Sequence, residues 1–561
     1  MSTNVDQPTS GDPWKVQKVV DEDTGQHLLH WTFPTETGGI GTHRVSFKLT
    51  ENPRLLRDEL LEYGAKFPPG DKNAFLSRMI ADEAATTSAA LLTRKTGYRD
   101  TGFVFPKGEG VGDVPPSIWD SDATPDLPIG LERGTLAGWN TRIGQLCEWS
   151  NPLMFAVTVA LAGACLAYVN LPETAVFNFA GLSSTGKTTL ARIAASVFGA
   201  PSPLPSWNST PRGLEELAAY YNDLALILND TEAFPDDAPA LRKALKSVAQ
   251  IIPEGQSKTR SVSVSGRTKQ LRAHIWRTFG LSTSIKTAEE LAREANSSRS
   301  EGEQVRLIDI SVPPREAGGI FDLLPEDGGP AVQQSKALVE ALEAALAEEH
   351  GTLIRPWISY LLANDPTEVL KRYMDLFVSR VAPAGDGFEV RLARKFALPY
   401  AAGRLAVKAG ILTWPSGWVR QSVEACYALA LKAIRTEGQQ VNAALAQLLV
   451  AAQDPRLIPT VSNGARVSAK AWDAALGIRM RLSGKDVIAL RSDRILRLAR
   501  DSRVKARLLR RLCEAEVLLP GHGGKSTRQP TTLQIGGEQQ RPRFWVLDAE
   551  RLAALAKAQK G

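Results

Sequence analysis

Eight consecutive residues, Gly181 to Thr188 (GLSSTGKT), satisfy the spacing G-x-x-x-x-G-K-[ST] without a mismatch. Each residue type suits phosphate chemistry. Glycines at 181 and 186 let backbone N–H groups turn inward around phosphate oxygens, a lysine at 187 reaches the β- and γ-phosphates, and a hydroxyl at 188 ligates Mg²⁺. The expected nucleotide-binding set is therefore Gly181, Ser183, Ser184, Thr185, Gly186, Lys187, Thr188 and Thr189. The apolar run Ala175 to Phe179 precedes the loop, and a helix-period segment follows from Leu190. Strand, loop and helix are the context this spacing requires, and the helix turns its positive dipole end toward the phosphates. The residues predict binding of a nucleoside triphosphate, ATP, with Mg²⁺.

A second apolar run, Leu224 to Leu228 (LALIL), closes on Asn229 and Asp230. An apolar strand ending in acids downstream of such a loop is where the metal-holding and water-polarising groups belong. Here Asn229 and Asp230, with Thr188, form the expected Mg²⁺ set, and Asp230 is the catalytic acid. A shifted alignment puts Asp230 on the metal and Glu232 as the base, and both alignments stay open. The carboxamide of Asn229 predicts weakened metal binding, because hydrogen bonds between neutral groups contribute about 0.5–1.5 kcal/mol against about 1.5–3 for charged ones. Thr278 to Thr283 (TFGLST) predicts a core strand whose terminal Thr283 senses the γ-phosphate. Gln304 to Val312 predicts another strand, with Arg306 at its start to stabilise transition-state charge at a neighbouring subunit's nucleotide. A solvated strand-end arginine is the plain alternative.

Basic residues cluster in two places. Lys258 to Arg277 (KTRSVSVSGRTKQLRAHIWR) alternates Val and Ser, turns at Ser265-Gly266 and returns through Arg267 and Lys269. That pattern predicts a basic-tipped β-hairpin, either a DNA contact or an ordinary surface hairpin. Near the C-terminus, Val504, Leu508 and Leu512 share one helical face while Arg503, Arg507, Arg510 and Arg511 lie toward the other. The strand VLLP, a polar Gly-rich loop from Gly521 to Gln540 and the strand Phe544 to Leu547 follow. Helix, strand, wing and strand is the plan of a winged helix.

Around these stretches lie the elements that must position them. Residues 1–12 are polar and predict no fixed structure. Three β-like runs follow, near Trp14 to Val20, His27 to Phe33 and His43 to Leu49, then helical segments at Pro53 to Tyr63 and Lys72 to Ile80. Lys107 to Pro128, dense in Gly, Pro and Asp, reads as a linker. Leu153 to Val169 is uncharged, but at 1.5 Å per residue it spans about 25 Å against roughly 30 Å of hydrocarbon, so it predicts a buried helix and no membrane partner. The four cysteines are scattered without C-x-x-C spacing, and the N-terminus lacks a signal-peptide pattern. Both point to a reducing, cytoplasmic setting. A net charge of only +6 means that any nucleic-acid surface must come from local clusters.

The chain resembles the bacterial domain-of-unknown-function family number 927. The resemblance rests on AGLSSTGKTTLARIAASVFG, SWNSTPRGLEELAAYYNDLALILND, GQSKTR with IWRTFGLST, GEQVRLIDI and VRLARKFALPYAAGRLAVKAGILTWP. It covers roughly Arg94 to Trp414. This family looks like an AAA+ ATPase group of mobile genetic elements, similar to superfamily III and minichromosome maintenance helicases. The resemblance implies a homo-oligomeric ring, a hexamer, with ATP at subunit interfaces and a hairpin gripping single-stranded DNA in the pore. It favours Arg267 and Lys269 as pore contacts and Arg306 as an interface finger. The chain departs from the family at Asn229-Asp230, where Asp-Glu is usual, and at Ser284-Ile285, where Gly-Glu is usual.

The expected class is α/β: a small α+β N-terminal module (1–106), a linker (107–134), an AAA+ P-loop core (135–315), an α-helical lid (316–455) and a winged helix that binds duplex DNA (456–561). In the lid, Ser335 to Glu349 and Val390 to Ala409 are amphipathic, with Arg391 or Arg394 as a phosphate sensor. Three functions follow as expectations: an ATP-driven DNA motor, a nucleotide-gated DNA scaffold that does not unwind, favoured by Asn229, and an AAA+ protein remodeller.

Overall fold

The structure is a computed structural model that describes residues 13–84, 89–120, 124–207, 210–229, 237–257, 260–264, 267–271, 274–295, 297, 299–383, 387–434, 437–494, 502–521 and 526–558. It divides into two compact units. One comprises residues 1–233, 247–285 and 306–429, and the other 234–246, 286–305 and 430–561. The helices expected as one lid over 316–455 are thus shared between the units, with the division at 429–430.

The first unit begins with β1 (Lys15–Asp21), β2 (His27–Pro34), β3 (Ile40–Ser46) and β4 (Ala90–Thr93). Helices Pro53–Glu62 and Lys72–Ala84 follow β3, close to where periodicity puts them. Alternation along β2 turns Leu29, Trp31 and Phe33 onto one face, where they join Trp14, Leu56, Leu60 and Leu76 in a core. Two further antiparallel strands, β5 (Gly97–Arg99) and β6 (Thr101–Val104), continue the chain.

The stretch read as a linker is folded. It contains β7 (Gly110–Asp113), which pairs with β6, and β8 (Ser117–Trp119), which joins β4 at the edge of the sheet β3-β2-β1-β4-β8. Its glycines serve close packing: a Cβ at Gly110 would sit 2.7 Å from the Val114 side chain. Composition mistook this requirement for flexibility. Asp120 anchors the end of the stretch by ion pairs to Arg44 and Arg94 at 2.6 and 2.8 Å.

The centre of the unit is a parallel sheet in the order β10-β13-β9-β14, built from β9 (Val176–Ala180), β10 (Leu224–Leu228), β13 (Thr278–Ser284) and β14 (Leu307–Ser311). Every residue of β9, β10 and β13 is buried, as expected of strands covered on both faces. The uncharged stretch after Ser150 forms the helix Asn151–Gly163, buried along its whole length. No described helix is long and apolar enough to cross a membrane. Between β10 and β13, β11 (Arg260–Val264) and β12 (Arg267–Leu271) pair antiparallel with Val264 opposite Arg267, so the backbone forms the expected hairpin.

In the second unit the helix Ser502–Glu514 buries Val504, Leu508 and Leu512 against Leu445 and Leu448 of the helix Glu437–Ala451. Strands at Leu518–Leu519 and Phe544–Asp548 pair antiparallel, as the sequence suggests. The sheet is larger than that plan. A hairpin of Gly477–Leu482 and Lys485–Arg491, not foreseen, completes four antiparallel strands. Within the expected loop 521–540, Leu533–Ile535 and Glu538–Gln540 form another hairpin. Gly536 and Gly537 turn it with φ of 60° and 96°, values only glycine adopts freely.

The helix Asn151–Gly163 packs so closely that a Cβ at Gly163 would lie 2.3 Å from the Leu224 carbonyl carbon. Alanine gains roughly 1 kcal/mol of helix propensity over glycine, whereas forced overpacking costs about 1–3 kcal/mol or more when the obstacle is backbone. Gly163→Ala is expected to lose about 1–2 kcal/mol net, read as a lowered melting temperature by circular dichroism. An unchanged or raised melting temperature would show that β10 can yield at this point.

Candidate nucleotide site

β9 is a buried strand that ends at Ala180, and the helix Lys187–Ala195 starts seven residues later. The loop between them turns through left-handed backbone at Ser184 (φ 61°) and Gly186 (φ 87°). Its shape is enforced from outside. Ile320 N–H donates to the Thr185 carbonyl at 2.9 Å, and a Cβ at Gly319 would come within 2.4 Å of that oxygen. Lys187 Nζ folds back over the loop, donating to the carbonyls of Gly181 and Leu182 at 2.7 and 2.6 Å, with Thr185 Oγ1 at 3.3 Å.

A cavity of about 510 Å³ opens above the loop. It is lined by Ser183 to Thr189, by Asn229 at the end of β10 and by Thr283, Ser284 and Ile285 at the end of β13. The structure therefore brings together all the sequence-predicted loop residues except Gly181, whose carbonyl instead holds Lys187, with Asn229 and Thr283 opposite them. Thr283 Oγ1 and Asn229 Oδ1 lie 3.0 Å apart, the hydroxyl donating. Behind them Trp207 Nε1 donates to Ser282 Oγ at 2.7 Å, which fixes the tip of β13. Asp230 and Glu232 lie outside the described residues, so the two alignments of the acidic pair stay open.

The far wall includes the helix expected at Ser335 to Glu349, but its lining residues were not singled out from the sequence. Arg315, Phe321, Ser335, Lys336 and Glu340 line the cavity from the segment after β14 and from the helix Ala331–Glu348. That helix is tied to the loop helix through Glu343, which accepts from Thr189 Oγ1 at 2.8 Å and pairs with Arg192. Gly318-Gly319 is a further signal of this wall in the sequence. Both have positive φ, and both approach neighbouring backbone too closely for a side chain.

The pocket fits a nucleoside triphosphate with Mg²⁺. Its volume lies in the range of small-molecule sites, and a lysine, backbone N–H groups and hydroxyls converge at one end. Ser284 Oγ at the rim is buried without a hydrogen-bond partner, an unmet polar group such a ligand can satisfy. Thr188 and Asn229 offer oxygens suited to a hard divalent cation. Among the described residues no group of His, Cys, Asp and Glu side chains forms a metal site.

Arg306 sits at the opposite edge of the sheet. Its carbonyl accepts from Val176 N–H at the start of β9, and its guanidinium donates to Glu173 at 2.7 Å, with Glu254 at 3.7 Å. Glu173 also meets Lys395 at 3.1 Å and Arg391 at 3.3 Å, so the lid-sensor candidate Arg391 belongs to this cluster rather than to the cavity wall. Burial alone would raise the Glu173 pKa, but Arg306 and Lys395 bring it down to about 2. Burial lowers Lys395 to about 8 despite the attraction of Glu173. In the second unit, Arg507 and Arg510 are exposed and Arg511 bonds Asn442.

Residues 16–273 match the family described as "Domain of unknown function (DUF927)". This is the family the sequence resembles, but the matched range differs: it starts earlier, taking in β1 to β4, and ends before β13. Among solved structures the chain is similar to one titled "SCCmec type IV Cch - active helicase", with a TM-score of 0.63 and 15% identity over 97% of this chain and 95% of that one. At that identity the likeness is one of fold. A second, the apo A form of the NrS-1 C-terminal region, aligns at 9% identity over 73% of this chain and 92% of that one, with a TM-score of only 0.22. No curated protein matches the sequence.

The Glu173 cluster yields a stability prediction. Glu173→Gln leaves Arg306, Arg391 and Lys395 facing one another without their shared anion, at an expected cost of about 1–3 kcal/mol. Because the folded pKa is depressed, the carboxylate's contribution is fully present above about pH 4.5 and is lost as pH falls toward 2. Denaturant midpoints of wild type and variant should differ at pH 7 and converge below pH 3. A gap that persists at acid pH would mean that the carboxylate charge is not its source.

Proposed function

We propose that this chain, which carries the DUF927 match in its first half, is an ATP-hydrolysing DNA motor, a helicase or replication-initiation ATPase of a mobile genetic element. The observation that supports it most is the shaped loop around Lys187, facing the Thr283–Asn229 pair across a 510 Å³ cavity. The fold likeness to a solved helicase over nearly the whole chain agrees with this reading.

In this reading the AAA+ core expected over 135–315 supplies the nucleotide site of the first unit. Its loop N–H groups and Lys187 hold the triphosphate, and Thr188 with Asn229 or Asp230 holds Mg²⁺, which neutralises phosphate charge when bound. Asp230 or Glu232 orients and deprotonates the attacking water. Thr283, fixed through Asn229, reports the γ-phosphate position to β13. The helix Ala331–Glu348 acts as lid and couples to the loop helix through Glu343. Arg306 cannot reach its own cavity from the opposite sheet edge, so it would serve a neighbouring subunit of a hexameric ring working in the cytoplasm. The hairpin β11–β12 carries Arg267 and Lys269 to single-stranded DNA in the pore. Residues 456–561 work as a winged helix, with Arg503, Arg507, Arg510 and Arg511 on duplex phosphates.

Asn229 favours a second reading, a nucleotide-gated DNA-binding scaffold or regulator that does not unwind. Its oxygen already accepts from Thr283 and carries no charge for the metal.

Lys187→Ala should abolish ATP turnover, by on the order of 10²-fold or more, in a protein that keeps its circular dichroism spectrum. Wild-type turnover in that variant would remove the assignment altogether. Asn229→Asp should tighten Mg²⁺ by about 1 kcal/mol, roughly fivefold, and raise hydrolysis, whereas Asp230→Asn lowers it. Loss of turnover in Glu232→Gln but not in Asp230→Asn selects the shifted alignment.

The hairpin separates motor from scaffold. Alanine at both Arg267 and Lys269 should leave basal ATPase near wild type while DNA-stimulated ATPase and strand separation fall together. Full stimulation and unwinding by this variant would exclude the hairpin as the DNA grip.

A further inference from the structure

A second cavity, of about 820 Å³, lies on the N-terminal module, within the first unit and built from residues unconnected with the nucleotide site. Its base is Trp14, only 4% exposed, and its walls are the half-buried rings of Phe67 and Phe75. Trp14 stands 4.7 Å from Phe67 and 5.2 Å from Phe75, while the two phenylalanine rings lie 6.4 Å apart and nearly perpendicular. Two half-buried rings, Phe67 and Phe75, thus present part of their surface to solvent above the buried Trp14.

The cations around these rings identify what they would bind. Lys66 and Arg78 line the cavity and are exposed. Lys72 Nζ stands 5.4 Å from the Phe67 centroid, and the Arg78 guanidinium 5.8 Å from that of Phe75. Both distances are near the outer limit of about 6 Å for a cation–π contact. The inner sides of the rings pack on Trp14, and Lys72 and Arg78, long and exposed side chains that can swing away, stand over them from outside. The acid of the site, Asp71, is engaged elsewhere: its Oδ1 caps the helix Lys72–Ala84, accepting from the N–H groups of Asn73 and Ala74 at 2.9 and 3.2 Å. That leaves aromatic faces ringed by three cationic tips.

We propose that this cavity is a single-stranded nucleic-acid site, in which one or two unpaired bases stack on Phe67 and Phe75 while Lys66, Lys72 and Arg78 meet the flanking phosphates. Aromatic platforms with a basic rim are how single strands are held without regard to sequence, at about 1–3 kcal/mol per stacked base. A proline-rich peptide is the competing occupant, since Pro34, Pro68 and Pro69 also line the cavity. It would use the rings but gains nothing from three cations, and charge complementarity therefore favours the polyanion. The site requires neither the loop around Lys187 nor the hairpin, so it stands or falls apart from the motor reading.

The test uses the full-length chain without nucleotide. A 20-mer oligothymidylate carrying 4-thiothymidine is photocrosslinked, and the adducts are mapped by peptide mass spectrometry. Adducts on peptides containing Trp14, Phe67 or Phe75, reduced at least fivefold in a Lys66→Ala, Lys72→Ala, Arg78→Ala triple variant, are the expected result. Phe67→Leu keeps apolar bulk but removes the stacking face, and should reduce the same adducts by about fivefold or more without lowering the melting temperature appreciably. Adducts confined to other segments of the wild-type chain would overturn the proposal. So would adducts at the rings that an octaproline peptide suppresses and the triple charge variant does not, which would assign the cavity to a peptide.

Discussion

An ammonium ion enclosed by a loop needs oxygens, and that need shapes the first unit. Lys187 is nearly buried, and it finds two carbonyls and a hydroxyl of its own loop. Satisfying it bends the chain back from Gly181 to Gly186, which requires left-handed backbone at Ser184 and Gly186. A bent loop exposes the Thr185 carbonyl, and the N–H of Ile320 meets it. This contact fixes the segment after β14, and with it the helix whose Glu343 reaches Thr189 and Arg192. The loop's strongest polar group is thus satisfied internally.

The parallel sheet sorts charge by edge. Strands running the same way put every loop that follows a strand on one side, and there the polar tips of β10 and β13 face the P-loop. Five residues of β14 separate that edge from Arg306, roughly 17 Å at about 3.3 Å per residue. At the other edge Glu173 gathers three cations with a carboxylate held ionised far below its ordinary range. Two carboxylates, Glu173 and Glu254, opposite three cations leave this cluster with one positive charge in excess.

Local signals carried most of what the sequence could tell. The loop spacing, the period-2 alternation of β2, the LALIL strand and the serine-valine hairpin each depend on neighbours within ten residues, and the structure shows each element where it was expected. Most of what failed depended on how the folded chain packs. Gly110 looked like punctuation because the close approach of Val114 and Phe103, only four and seven residues away, arises in the folded strands and is not written in composition. The hairpin at 477–491 was missed although its signal is local: Ile478, Met480 and Leu482 alternate with Arg479 and Arg481 before a turn at Ser483-Gly484. Arg315 and Lys336 could not be assigned to the cavity, because nothing in a helical pattern says which turn will face a loop more than a hundred residues upstream.

Asn229 is where local rule and tertiary setting disagree most, and its surroundings argue that the carboxamide is accommodated rather than accidental. The Thr283 hydroxyl donates to its oxygen, and its backbone N–H is taken up by the Pro205 carbonyl at 2.8 Å. Trp207, two residues beyond that proline, braces the adjacent Ser282. An aspartate at this position would keep the Thr283 bond and strengthen it, since a carboxylate is the better acceptor. It would also put a charge beside buried Ser282, Thr283 and Ser284, at a desolvation cost that an amide avoids. The amide therefore satisfies Thr283 and the strand tips around it without burying a charge among their hydroxyls.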